Sequence, residues 1–340
     1  MYLQDSYFAG NPSDDFETRG YPGFFILAKS GHPVVTNTTI LEVAQGNGTR
    51  IAGANRYETA VKLSKQVFTD PAEVDTVFIA TGFNFPDALG AAAAAGYRGA
   101  PVLLVGDQLP GPVAAELVRL KPSTIYVVGG TSAVSTSVAN QLASYGTVKR
   151  LSGQDRYRTS VAVSREFFTG TVETVFIATG KNFPDALGAA AAAGHLGAPV
   201  LLVGDSLSAG VSAELARLKP SKIYVVGGTS VVSSSVESRL ATYGATERLA
   251  GSNRYQTAIS VSKKIFPSAQ ATDTVFVATG SNFPDALGAA AVAGHIGAPV
   301  LLAGDTLSHA VSSEVGRLDP ATIYVVGGSS VISDLLFSSL

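Results

Sequence analysis

Three arginine–tyrosine pairs, Arg56-Tyr57, Arg156-Tyr157 and Arg254-Tyr255, each follow a residue suited to capping a helix N-terminus: Asn55, Asp155 and Asn253. A cation at the positive end of a helix dipole is electrostatically unfavourable, so another group is expected to hold it. The candidates are the carboxylates of Asp87, Asp185 and Asp285, an acid from the next repeat, or an anionic ligand. The three aspartates follow Pro86, Pro184 and Pro284 in what reads as a first helical turn, where capping alone could also explain them. A third recurring group is Gly129-Gly130-Thr131-Ser132, repeated with Gly227, Gly228 and Ser230 and with Gly327, Gly328 and Ser330. It leads into a helical pattern whose first turn carries no acid. Free N–H groups, the close approach that Gly-Gly permits, and hydroxyls would suit an anion or a sugar hydroxyl. A plain glycine turn with serine capping the helix is the alternative.

Residues for catalysis do not assemble in the same way. There is no G-x-G-x-x-G after a strand, no G-x-x-x-x-G-K-[ST], no G-x-S-x-G and no H-E-x-x-H. His195 and His295 align with Tyr97, a change that a catalytic histidine in every repeat would not tolerate, and His32 and His309 occur singly. Asp87 and Asp107 could be imagined as glycosidase carboxylates, but three tandem copies and the capping role argue against it. With no cysteine there is no Cys/His metal cluster. The expectation is a non-enzyme without metal or cofactor.

These residues sit in a repeat that can be read directly. Asn84-Phe85-Pro86-Asp87-Ala88-Leu89-Gly90 recurs at Asn182 and again at Asn282, spacings of 98 and 100 residues. Such a period is too long for a solenoid unit and matches a small domain. Within the first copy, the β-rich runs 49–52, 76–80, 101–105 and 124–128 alternate with helical patterns over 56–68, 86–97, 111–120 and 135–145. Apolar runs without alternation are strands covered on both faces, and strand–helix alternation implies parallel, doubly wound sheets. Ligands of such sheets collect at the C-terminal strand edge, where the loops 82–87, 106–107, 129–132 and 53–57 lie.

The expected boundaries are 1–45 for an N-terminal extension or the remnant of an upstream domain, then modules at 46–146, 147–244 and 245–340. Tight joins such as Tyr145-Gly146-Thr147 favour modules packed against one another. The helix after Pro86 is almost bare: Gly90-Ala91-Ala92-Ala93-Ala94-Ala95-Gly96, with close copies at Gly188 and Gly288. A helix apolar all round is normally buried all round. These three helices are expected to line inter-module contacts in a pseudo-threefold body; a tight helix–sheet interface is the plainer reading.

Composition sets limits. The 340 residues carry a net charge of −2, with −3 in residues 1–45 and +1 in the rest. No basic tract exists, so nucleic acid is not an expected partner. No stretch is apolar enough to span a bilayer, and residues 1–30 show no basic segment followed by an apolar core of export-signal length.

The blocks R-[IL]-x-G-x-[ND]-R-Y, T-G-x-N-F-P-D-A-L, G-A-P-V-L-L and I-Y-V-V-G-G, in order in all three modules, resemble the cell wall-binding repeat 2 family. The likeness covers about residues 50–340. It implies three Rossmann-like modules packed as a pseudo-threefold trimer, on an extracellular protein of the Gram-positive cell surface. It further implies non-covalent anchoring to an anionic wall polysaccharide or teichoic-type polymer through loops and grooves near the module junctions. The family's P-[IV]-L-L block falls here on Leu103, Leu104, Leu201, Leu202, Leu301 and Leu302, which read as core strand residues able to position such a groove. An exported protein is expected to carry a signal peptide, and members usually carry a separate effector domain, for which residues 1–45 are too few. Two other readings stand beside the anchor: the anchor portion of a peptidoglycan hydrolase of the N-acetylmuramoyl-L-alanine amidase type, and an intracellular nucleotide-binding α/β protein, suggested by the Gly-Gly-Thr-Ser turns.

Overall fold

The strand-forming runs owe their place in the fold to being apolar on both faces. Thr76-Val-Phe-Ile-Ala-Thr81 is buried at every position, as are Val102–Val105 and their counterparts in the other repeats. The computed structural model describes residues 16–21, 24–29, 48–84, 86–182, 184–282 and 284–338. Phe85, Phe183 and Phe283 of the recurring heptapeptide, together with His32 and Pro22-Gly23, lie outside the described residues.

Residues up to Ala44 form one compact unit and Gln45–Leu340 another. In the first, β1 (Phe16–Tyr21) and β2 (Phe24–Lys29) pair antiparallel, with Phe16 opposite Lys29 and Tyr21 opposite Phe24. The second begins with β3 (Gly48–Ile51) and α1 (Arg56–Val67). It continues through β4 (Thr76–Thr81), α2 (Pro86–Tyr97), β5 (Val102–Val105), α3 (Gly111–Leu120), β6 (Thr124–Val128) and α4 (Thr136–Leu142). The second repeat supplies β7 (Thr147–Leu151), α5 (Arg156–Phe167), β8 (Thr174–Thr179), α6 (Pro184–His195), β9 (Val200–Val203), α7 (Ala209–Leu218), β10 (Lys222–Val226) and α8 (Ser234–Leu240). The third supplies β11 (Ala245–Leu249), α9 (Arg254–Ile265), β12 (Thr274–Thr279), α10 (Pro284–Ile296), β13 (Val300–Ala303), α11 (His309–Leu318), β14 (Thr322–Val326) and the short α12 (Asp334–Phe337).

Three parallel four-stranded sheets result, in the orders β5-β4-β6-β7, β9-β8-β10-β11 and β13-β12-β14-β3. The fourth strand of the first two sheets therefore comes from the repeat that follows in sequence. β7 opens the second repeat but pairs with β6, Thr124 opposite Thr147 and Val128 opposite Leu151. The cause is local. After α4 the chain turns back at Gly146, where a Cβ would run into the Pro122 carbonyl, and Thr147 N–H then donates to Ser123 O at 2.9 Å. β3 at the start of the unit completes the last sheet, Ile323 opposite Gly48 and Val326 opposite Ile51, so the ring of three closes on itself.

The small-residue helices α2, α6 and α10 pack on one another at the centre, and Ala88 to Gly96 of α2 are all buried. Gly96, Gly194 and Gly294 meet there. A Cβ on Gly194 would lie 3.2 Å from Ala93 O and 3.3 Å from the Cα atoms of both Gly96 and Gly294. Three backbones converge so closely that any side chain here would press on its neighbours. Each central helix also packs on the first helix of the next repeat: α2 on α5, α6 on α9, α10 on α1.

A buried carboxylate fastens the outer layer. Glu116, Glu214 and Glu314 are at most 1% exposed. Glu214 accepts from Ser164 Oγ at 2.6 Å, from Arg165 Nε at 3.0 Å, and from Arg217 Nε and Nη2 at 3.0 and 2.5 Å, tying α7 to α5. Burial alone would raise its pKa, but these donors outweigh it and hold the carboxyl below its usual value.

Candidate functional site at the repeat junctions

Each junction brings together the loop after the last strand of one repeat, the start of its central helix, and the Arg-Tyr start of the next repeat's first helix. At the first junction these are Gly129 to Ser132, Asp87, and Arg156-Tyr157.

Asp155 caps α5 by accepting from Arg158 N–H at 2.8 Å, and Asn55 and Asn253 cap α1 and α9 likewise. That cap sets the direction of the arginine. Arg156 Nη1 donates to Gly180 O at 2.6 Å and Arg254 Nη1 to Gly280 O at 2.6 Å, while Arg56 donates to Gly82 O. The partner that the helix dipole demands is thus first a backbone carbonyl within the arginine's own repeat. The tyrosine lies over the same strand ends: a Cβ on Gly180 would be 2.7 Å from Tyr157 Cε1, and one on Gly204 would be 2.9 Å from Tyr157 Oη. Tyr57 and Tyr255 cover Gly82/Gly106 and Gly280/Gly304 in the same manner.

The aspartates reach across the junction. Burial pushes the carboxyl of Asp87 up, against the hydrogen bond from Thr159 and the positive charge of Arg156, both in the next repeat. Asp185 is raised in the same way against Thr257 and Arg254, and Asp285 against Thr59 and Arg56, where the ring closes. Among the described residues Asp285 Oδ1 is buried without a hydrogen-bond partner. Within its own repeat Asp87 fills the space beside Gly129, which has φ +102°; a Cβ there would be 2.7 Å from Asp87 Oδ2. Gly227 and Gly327 stand in the same relation to Asp185 and Asp285.

The Gly-Gly loop does not open directly into a helix. Ala133 and Val134 N–H groups turn back to Gly130 O, and the cap of α4 is Ser135, which accepts from Val138 N–H at 3.2 Å. Ser132, Ser230 and Ser330 are left exposed on the turn, beside half-buried Gly130, Gly228 and Gly328. Its carbonyls are taken by an arginine that sequence reasoning passed over. Arg150 Nη1 donates to Gly129 O at 2.8 Å and Gly130 O at 3.2 Å; Arg248 and Arg50 grip Gly227 O and Gly327 O at 2.6 and 2.8 Å. The signal was present in the Arg that opens each R-[IL]-x-G block, as was the threonine of R-Y-x-T.

Leu103, Leu104, Leu201, Leu202, Leu301 and Leu302 are fully buried in β5, β9 and β13. They lie in the core and offer no surface to a polymer. The position of Tyr97, His195 and His295 is an aromatic stacking position: their rings lie 5.3 Å from Phe168, Phe266 and Phe68 of the next repeat. Among the described residues no group of three His, Cys, Asp or Glu could hold a metal ion, and no helix is long and apolar enough to cross a membrane.

The family model described as cell wall binding domain 2 (CWB2) matches residues 50–139, 150–237 and 248–336. The chain belongs to the CWB2 family. Each CWB2 match begins inside the β-strand that completes the preceding repeat's sheet, at Arg50 in β3, Arg150 in β7 and Arg248 in β11; around the ring, β3 completes the last. Among curated proteins the chain is 30% identical over 302 residues to N-acetylmuramoyl-L-alanine amidase LytC of Bacillus subtilis (strain 168), covering 88% of this chain and 59% of that protein. It is 30% identical over 298 residues to the amidase enhancer of the same organism, covering 86% and 40%. Among solved structures it is similar to Cwp6 from Clostridium difficile (TM-score 0.79, 28% identity, 86% of this chain and 48% of that one). It is also similar to Cwp8 from the same organism (TM-score 0.78, 31% identity, 86% and 51%). The CWB2 chain thus spans about half the length of the relatives it matches.

Proposed function

We propose that the three CWB2 repeats hold their protein non-covalently to an anionic secondary polymer of the Gram-positive cell wall, at the cell surface, through the three junction faces. The observation that carries this reading is the threefold recurrence of one polar cluster. Arg156 and Tyr157, Asp87, and the exposed Thr131-Ser132 turn recur as Arg254, Tyr255, Asp185 and Ser230, and as Arg56, Tyr57, Asp285 and Ser330. Three like faces on one body favour multivalent attachment, in which weak individual contacts combine into firm retention. The near-neutral charge of residues 46–340 assigns recognition to local geometry over bulk attraction. Co-sedimentation with purified Gram-positive walls, lost after the secondary polymers are extracted, is the expected result; equal binding to extracted walls would remove the polymer from the proposal.

A second reading is favoured by the matches to an amidase and an amidase enhancer: this chain as the anchor portion of a peptidoglycan hydrolase. The amidase activity is named for that relative. A zymogram of this chain is expected to show no clearing, and clearing would place catalysis within it.

A further inference from the structure

Residue 83 is where three otherwise matching loops differ. After the Thr-Gly that ends the second strand, the repeats read Phe83, Lys181 and Ser281. The backbone beneath is pinned in the same way each time. Gly82 N–H donates to Val105 O at 2.8 Å, Gly82 O accepts from Arg56, and Phe83 N–H donates to Thr81 Oγ1 at 3.2 Å. Lys181 and Ser281 N–H groups donate to Thr179 and Thr279 at 3.2 and 3.1 Å. The turn is held alike in all three repeats, and what varies is the side chain it displays.

Phe83 is 59% exposed. A lone exposed apolar side chain needs no explanation, but this one has neighbours suited to a ligand. A Cβ on Gly106 would lie 3.4 Å from Phe83 Cζ and 2.8 Å from Tyr57 Oη, so the two rings flank the same loop, which continues into the exposed carboxylate of Asp107. The cluster stands at the C-terminal edge of the sheet, where ligands of such sheets collect. In the second repeat the matching position carries an exposed ion pair between Lys181 and Asp205. A pyranose ring offers an apolar C–H face to an aromatic ring and hydroxyls to a carboxylate and a phenol.

We propose that Phe83, Tyr57 and Asp107 form a sugar-ring subsite of the first repeat. Phe83 is its stacking platform, and the second and third repeats do not carry it. This rests on the wall-polymer reading and makes the three repeats unequal binding units.

The chain contains no tryptophan, so Phe83→Trp places the sole indole at this point. Titration with polysaccharide released by acid extraction from Gram-positive walls is expected to shift or quench its fluorescence in step with binding measured by sedimentation. Phe83→Ala is expected to weaken binding about 2- to 12-fold at an unchanged melting temperature, while Ser281→Ala leaves it unchanged. Polymer binding with a silent indole and an unaffected Phe83→Ala variant would overturn the subsite and leave the anchor reading standing. Failure of the unsubstituted chain to bind the polymer would overturn both.

Discussion

Arg150, in the strand that opens the second repeat, donates at 2.8 Å to the carbonyl of Gly129, in the loop that follows the last strand of the first repeat. The bond joins two features that the sequence places in different modules: a fourth strand handed on to the preceding sheet, and a Gly-Gly turn beside Asp87. The candidate site is therefore built by the same exchange that builds the fold. Its loop is held open by an arginine whose work is on the backbone.

Arg150→Ala is expected to lower stability by about 1.5–3 kcal/mol, the range for hydrogen bonds to a charged donor. Urea unfolding should show a lower midpoint at an unchanged slope. An unchanged midpoint would show that the Gly129 turn holds its shape without the arginine.

Gly194→Val places a branched side chain where three helices meet, against Ala93 O and the Cα atoms of Gly96 and Gly294. Overpacking of this kind is expected to cost about 1–3 kcal/mol, read as a fall in melting temperature. Gly170→Ala, where a Cβ meets nothing within 4 Å, is the control expected to change little.

Much of this arrangement can be read in the residues. The parallel sheets follow from runs such as Val-Phe-Ile and Val-Leu-Leu-Val, and the central packing from the bare Gly90–Gly96 helix. The phase of the repeat cannot be read that way. A cyclic array looks the same wherever counting begins, so only the strand pairings, β7 with β6, β11 with β10 and β3 with β14, reveal that each sheet borrows a strand. The Arg-Tyr pairs stand out because a cation at a helix start needs a partner, but that the partner is the Gly180 carbonyl depends on a long-range approach. Arg150 escaped notice because an arginine on an edge strand is ordinary until its loop is seen.

Buried Glu214 gives an acid-side dependence. The pKa of Glu214 is lowered in the folded state, so its contribution is present above the unfolded value and is lost as the pH falls through the folded one. Glu214→Ala strands Ser164, Arg165 and Arg217 and is expected to cost about 3 kcal/mol. That is the low end of the range, because Arg217 remains 30% exposed. The loss of stability on acidification should be shallower in this variant; an identical pH profile would contradict the linkage.

His195 and His295 act in a higher window. Burial between ring and backbone lowers the pKa of both, opposed at His295 by the charge of Glu73. Their neutral forms favour the fold, so stability is fully present above the unfolded value, about pH 6.5, and is lost as the pH falls through the depressed one. Replacing both with tyrosine, the residue at position 97, is expected to flatten the melting temperature between pH 7.5 and 5.5. Parallel curves for the two proteins would show that these rings do not sense pH.

The claim that the junctions bind the wall is tested most directly by counting them. Arg56→Gln, Arg156→Gln and Arg254→Gln, singly and together, would be measured for binding to purified Gram-positive walls, with melting temperatures taken alongside. A partial loss from each single change and a near-complete loss from the triple, in protein that still melts cooperatively, is the expected result. A triple variant that binds as the unsubstituted chain does would contradict a role for the junction faces.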